Sequence, residues 1–142
     1  MDIILVILLS YLSGSIPFGL ILTKIFGKVD IRKIGSGNIG ATNVLRTGNR
    51  YLALATLLFD ILKGYIPVII VSQYYPGLIH LSALLAFLGH LFPIWLKFKG
   101  GKGVATYLGV ILALSHNFFI IFGICWLLSS LLFRFASLSS MI

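Results

Sequence analysis

Residues 51–71 read YLALATLLFDILKGYIPVIIV, an apolar run with one acid and one base near its middle. About 20 apolar residues match the hydrocarbon thickness of a bilayer at helical rise, so a membrane helix is expected here. Stretches of the same kind lie on either side, from Ile3 to Leu22 and from Leu78 to Leu96. Val104 to Leu114 is apolar but short, roughly 16 Å as a helix. Phe118 to Phe133 follows, after Ser115, His116 and Asn117. That pair reads as two short spans joined by an outer turn, or as one long tilted helix. With 59% hydrophobic and 10% charged residues and a mean hydropathy of +1.10, the chain has too little polar surface to coat a soluble globule. The expected fold class is all-α. It is a polytopic transmembrane helical bundle of about five membrane segments, with glycine-rich or re-entrant loops on the cytosolic side, in one domain over residues 1–142.

Eleven basic residues stand against three acidic ones. Such an excess can mark nucleic-acid binding, but here the bases flank apolar spans, and the preference for cytosolic Lys and Arg explains them. Lys24, Lys28, Arg32, Lys33, Arg46 and Arg50 fall between the first two spans, and Lys97, Lys99 and Lys102 before the fourth. The Ser72 to Gly77 turn carries no charge. An N-terminus outside puts both basic loops in the cytosol, and the two-span reading of 104–133 brings Arg134 there too. Lys63 alone then lies inside a span. Cys125 permits no internal disulfide. The opening MDIILVILLSYLSGSI lacks a basic start and a small-residue cleavage site, so it is expected to be a retained helix.

Pro17, in SGSIPFG, and Pro93, in GHLFPIW, have no N–H to give the carbonyls of Ser13 and Gly89. An ordinary kink accounts for either one alone. Together, beside the basic loops, they suggest a cavity open to the cytosol, where freed backbone groups find partners.

GSGNIG, residues 35–40, fits G-x-G-x-x-G, and Asp60 follows Gly40 at the spacing of a dinucleotide fingerprint. No strand precedes it and Asp60 belongs to an apolar span, which excludes that site. Glycines still let backbone N–H groups approach a phosphate ahead of a helix N-terminus. If a helix runs from Asn38, then Asn38, Thr42, Arg46 and Asn49 share one face, opposite Ala41, Val44 and Leu45. An interfacial amphipathic anchor is the alternative. In LKFKGGKGVAT, residues 96–106, three lysines surround three glycines before an apolar helix. Topology explains the charge, whereas the glycines suit a phosphate cradle with Lys102 at the head of the helix. Asp60 and Lys63 are spaced to pair on one helix face, and a structural ion pair is preferred over a proton relay or substrate contact. His80 and His116 fall at the outer side. His90 could line the cavity, though a single polar contact between helices is the simpler role. No spacing suggests a metal.

SGSIPFG, GSGNIGATNVLR, FDILKG and GHLFPIWLKFKGGKGVAT, in that order from Ser13 to Thr106, resemble the acyl-phosphate-dependent glycerol-3-phosphate acyltransferases of bacterial membranes. A weaker similarity continues through SLSS near the end. The resemblance implies an integral enzyme of the inner membrane, multi-pass, with its N-terminus outside and its active site facing the cytosol. It implies acyl transfer from acyl phosphate to the 1-hydroxyl of glycerol 3-phosphate, giving lysophosphatidic acid for phospholipid synthesis. Neither coenzyme A, acyl carrier protein nor another cofactor is implied, and an upstream enzyme would form the acyl phosphate. By motif match, Ser36, Arg46 and Lys102 carry the catalytic work on the two phosphorylated substrates. Gly35, Gly37, Asn38, Gly40, Thr42 and Asn43 of the first loop shape the substrate site, with Lys99, Gly100, Gly101 and Gly103 of the second and His90. The family continues into further helices and a late H-R-x-N-I motif that has no match before Ile142, so the chain is expected to be C-terminally incomplete relative to it.

Acyl phosphate is already activated, so positioning two mutually repelling anions is the main task. No general base stands out beyond His90, and one hypothesis gives the proton to a substrate phosphate. Competing readings are a transporter for a phosphorylated metabolite, a non-catalytic subunit binding anionic headgroups, and an inactive truncated homologue.

Overall fold

The computed structural model describes residues 1–133, with side chains through Ser129; Arg134 and the SLSS stretch lie outside the described residues. Seven α-helices occur there: α1 Asp2–Ser15, α2 Phe18–Phe26, α3 Ala41–Leu45, α4 Arg50–Tyr74, α5 Ile79–Leu91, α6 Val104–Leu114 and α7 His116–Phe133. No strand occurs among the described residues. At 25 residues α4 is about 37 Å long, enough to cross a bilayer. It is the hub of the bundle, packing on α1, α2, α3, α5 and α6. Leu54, Leu58, Leu62, Ile66 and Ile70 form an exposed stripe along it, one turn apart, as a lipid-facing surface requires. The segment Pro76–Leu96 is also long and apolar enough to span, and α1 and α2, bent by 44° at their break, are so when taken together.

Close backbone approach sets the two main helix pairings. A Cβ on Gly14 of α1 would strike the Ala86 carbonyl of α5, and one on Gly89 would strike that of Tyr11. Gly64 of α4 and Gly109 of α6 are in the same position against Thr106 and Ile61. Without a hydrophobic force between helices in lipid, small residues at such crossings bring dispersion and polar contacts into range. Ser10 Oγ donates to Ser82 Oγ at 2.8 Å across the first pair.

The breaks at proline are satisfied from outside each helix. Ile16 N–H turns back to the Ser13 carbonyl that Pro17 cannot reach. Beyond it, the Trp95 indole donates to the Ser15 carbonyl and Lys63 Nζ to the Ile16 carbonyl, at 3.1 and 2.7 Å. Pro67, inside α4, leaves the Lys63 carbonyl without its helical partner, and Ser13 Oγ donates to it at 3.1 Å. At Pro93 the outcome differs from a kink: α5 stops at Leu91, and the second loop folds back to cap it. Gly100 N–H donates to the Leu91 carbonyl at 3.0 Å and Gly101 N–H to that of His90 at 3.1 Å.

α6 and α7 form a hairpin at Ser115. Tyr107 and Phe122 meet edge to face with ring centroids 5.2 Å apart, and Trp126 reaches the same cavity as Val104. In one continuous helix those last two residues would stand roughly 33 Å apart. The shortness of α6 also has a reason: Thr106 rests on Gly64, past the middle of α4, and Val110 packs with Val68. The helix therefore starts deep in the bundle, and its 11 residues run alongside the last part of α4.

Candidate active site

The first loop is a folded cap with its own core. Ile31, Ile39 and Val44 are buried with Leu20, Leu52 and Ala53 of the neighbouring helices. Its central fastener is the buried Asn43, whose Nδ2 donates to the carbonyls of Ile31, Ile34 and Asn38 at 3.1, 3.0 and 2.8 Å, while Oδ1 accepts from Ser36 N–H at 3.1 Å. Gly35 sits at φ +54°, where a Cβ would crowd Asn43 and Arg46. Asp30 closes the start of this loop by accepting from the Arg32 side chain at 2.7 and 2.9 Å. Those side-chain bonds hold its carboxyl well below the usual carboxylate range and push Arg32 up.

Beneath this cap lies a cavity of about 370 Å³. The two basic loops meet there. Ser36, Asn38, Gly40, Thr42, Asn43 and Arg46 line it from the first, and Lys102 and Gly103 from the second. Ser36, Thr42, Arg46 and Lys102 are exposed around the mouth. Farther in, Leu57, Ile61, Val104, Leu108 and Trp126 make an apolar wall, with Asp60 and His90 at the floor. An anionic head at the mouth and an acyl chain along the wall would both be accommodated.

Other expected site residues stand behind this surface. Gly35 and Gly37 belong to the turn before Asn38, at φ +54° and +71°, and neither borders the cavity. Lys99, Gly100 and Gly101 do not border it either. The two glycines close the end of α5, so the cradle expected of KGGKG reduces to Lys102 and Gly103. The helix expected from Asn38 begins only at Ala41. Asn38 Oδ1 accepts from Gly40 N–H at 3.1 Å, and Asn49 caps α4 by accepting from Leu52 N–H at 3.0 Å. Thr42 and Arg46 keep their common face, while Asn49 does not border the cavity. Of the apolar face proposed opposite them, Val44 is buried, Ala41 borders the cavity and Leu45 is exposed.

Lys63 is the structural tie expected of it. Its ammonium meets Asp60 Oδ1 and the Ile16 carbonyl, both at 2.7 Å, and lies 5.9 Å from the centre of the Phe18 ring. Asp60 also faces the cavity, which the preference for a purely structural pair did not include. His90 Nδ1 is 3.0 Å from Thr106 Oγ1 and 4.0 Å from Asp60 Oδ1, so the histidine both bridges α5 to α6 and borders the cavity. Trp126 was not anticipated. Its place depends on the α6–α7 hairpin, which no local spacing encodes. Among the described residues no group of three His, Cys, Asp or Glu is arranged to hold a metal.

A profile of the glycerol-3-phosphate acyltransferase family matches residues 4–142. The glycerol-3-phosphate acyltransferase of Pelagibacter ubique is 58% identical over 142 residues, which are 100% of this chain and 74% of that protein. That of Mesorhizobium japonicum is also 58% identical, over 98% of this chain and 71% of the relative. Among solved structures, the glycerol 3-phosphate form of PlsY, an integral membrane glycerol 3-phosphate acyltransferase, superimposes with a TM-score of 0.92 at 38% identity, over 99% of this chain and 71% of the other. Its lysophosphatidic acid form gives 0.90 at the same identity. With the sequence matches and the helical bundle in agreement, the chain belongs to the glycerol-3-phosphate acyltransferase family of integral membrane enzymes.

Proposed function

We propose that the cavity under the two basic loops transfers a fatty acyl group from acyl phosphate to the 1-hydroxyl of glycerol 3-phosphate. The observation that carries this reading is the convergence of Arg46 and Lys102, from loops more than fifty residues apart, on one cavity that is polar at its mouth and apolar inside. Two phosphorylated substrates repel each other, and a guanidinium and an ammonium at the mouth offset that repulsion. The 1-oxygen attacks the acyl carbon, the bond from that carbon to the phosphate oxygen breaks, phosphate leaves with the electron pair, and the hydroxyl proton passes to that departing phosphate. The two cations stabilise charge as it gathers on the carbonyl oxygen and the leaving group. Ser36, at the mouth, offers a hydroxyl donor to a phosphate. Because the donor is already activated, no covalent enzyme intermediate is needed and holding the reactants together supplies the rate. The basic loops at the mouth favour a cytosolic opening in the bacterial inner membrane, where an upstream acyl-phosphate-forming enzyme would deliver the donor.

The test is purified protein in lipid nanodiscs with labelled glycerol 3-phosphate and palmitoyl phosphate. Lysophosphatidic acid and free phosphate are expected in equal amounts. Arg46→Ala and Lys102→Ala should each lower kcat/KM by about 100-fold or more, the scale for removing one preorganised charge stabiliser. Wild-type turnover in both variants would overturn the arrangement. Uptake of glycerol 3-phosphate into vesicles with no new lipid would point to transport instead.

A further inference from the structure

Asp60 borders the cavity floor with its side chain almost wholly buried, and it is the only carboxylate among the described residues that does so. Its Oδ1 pairs with the Lys63 ammonium at 2.7 Å, and no other hydrogen-bond donor among the described residues is bonded to the carboxylate. An ionised carboxylate offers about four lone-pair sites, so most of this group's accepting capacity is unfilled. Leaving such capacity empty in a buried place is costly. The neighbouring polar groups are engaged: Lys63 with Ile16 and Asp60, and His90 Nδ1 with Thr106.

We propose that Asp60 accepts a hydrogen bond from the C2 hydroxyl of the acyl acceptor and thereby selects an alcohol over a ketone at that carbon. This rests on the reading of the cavity given above. A carboxylate repels the phosphate of the substrate, which is drawn to Arg46 and Lys102 at the mouth, so the glycerol end points inward. The C1 oxygen must meet the acyl carbon along the wall of Leu57, Ile61 and Leu108. The hydroxyl left to meet Asp60, on the same helix face as Leu57 and Ile61, is the middle one. A carbonyl there would bring only lone pairs against a carboxylate.

The experiment compares kcat/KM for glycerol 3-phosphate, dihydroxyacetone phosphate and 3-hydroxypropyl phosphate, which carry a hydroxyl, a carbonyl and only hydrogen at the middle carbon. The wild-type protein is expected to favour glycerol 3-phosphate by about 100-fold or more over both, since a site built to bond a hydroxyl rejects analogues lacking it. Asp60→Asn supplies an amide donor, and the preference for glycerol 3-phosphate over dihydroxyacetone phosphate should fall at least roughly 10-fold. An unchanged preference in a less active Asp60→Asn protein would make Asp60 structural and overturn the proposal. If that variant fails to fold, the wild-type comparison decides alone: 3-hydroxypropyl phosphate used as well as glycerol 3-phosphate overturns it. A wild-type chain that makes no lysophosphatidic acid counts against the proposed function, and equilibrium binding of the three phosphates then reads the selectivity, equal affinities being the overturning result.

Discussion

Asn43 borders the cavity, yet every polar atom of its side chain is committed within the loop. Its three donated contacts and one accepted contact tie residues 31, 34, 36 and 38 together around one amide. A carboxylate in its place would face three carbonyls, and an alanine would leave those groups unpaired. Each buried group so orphaned costs about 1–3 kcal/mol, so Asn43→Ala should lose on the order of 3 kcal/mol in denaturant unfolding and weaken glycerol 3-phosphate binding with it. Stability within about 0.5 kcal/mol of wild type would show that the cap is held elsewhere. The sequence reading counted Asn43 among the residues that shape the substrate site and did not foresee its role as a fastener, because an asparagine that faces a ligand and one that fastens a loop have the same local pattern. Asn38 and Asn49 illustrate the competing physics. Helical spacing put them on one face with Thr42 and Arg46, but short polar side chains satisfy nearby N–H groups in turns and at caps, and there they end helices rather than extend them.

The second loop carries the same lesson for an element. From KGGKG the glycines suggested a phosphate cradle, and the structure gives two of them a different partner, the exposed end of α5. Helices leave their last carbonyls unsatisfied, and in a bundle these need protein donors. Gly100 and Gly101 supply them, and only glycine fits. A Cβ at Gly100 would strike the carbonyl oxygens of His90 and Leu91, and one at Gly101 would meet the His90 ring. What was legible was that small residues are needed beside Lys102. What was not was the closing of α5 at Leu91, a contact between segments that periodicity does not report. Gly100→Ala should therefore lift the loop from α5 and move Lys102 away from Arg46. We expect at least a roughly 10-fold loss in kcat/KM, the scale on which a misplaced positioning group acts, with the helical content by circular dichroism preserved. Activity within twofold of wild type would mean that the loop rests elsewhere.

For the whole molecule, the decisive question is which ends of the helices share a side of the membrane. Ser10 pairs with Ser82 and Gly14 rests on Ala86, so α1 and α5 run in the same direction, and the N-terminus lies at the end of the bundle away from the cavity. Ser36 and Lys102 border one cavity, while Tyr74 ends α4 about 37 Å from its start. His116 follows α6, which runs beside the last part of α4. Hydropathy and the distribution of Lys and Arg pointed to the same relative order of helix ends, and the two-segment reading of residues 104–133 matches the reversal of direction between α6 and α7, because burial in lipid and charge asymmetry act on whole segments and leave a trace in composition. The measurement is cysteine labelling from each side of sealed vesicles at positions 36, 74, 102 and 116, one at a time, with the exposed Cys125 replaced by serine. Positions 36 and 102 should react from the cytosolic side and 74 and 116 from the other. Reaction of 36 and 102 from opposite sides would separate the two cations and leave no common site. Reaction of 116 from the side of 102 would undo the hairpin that carries Trp126 to the cavity wall.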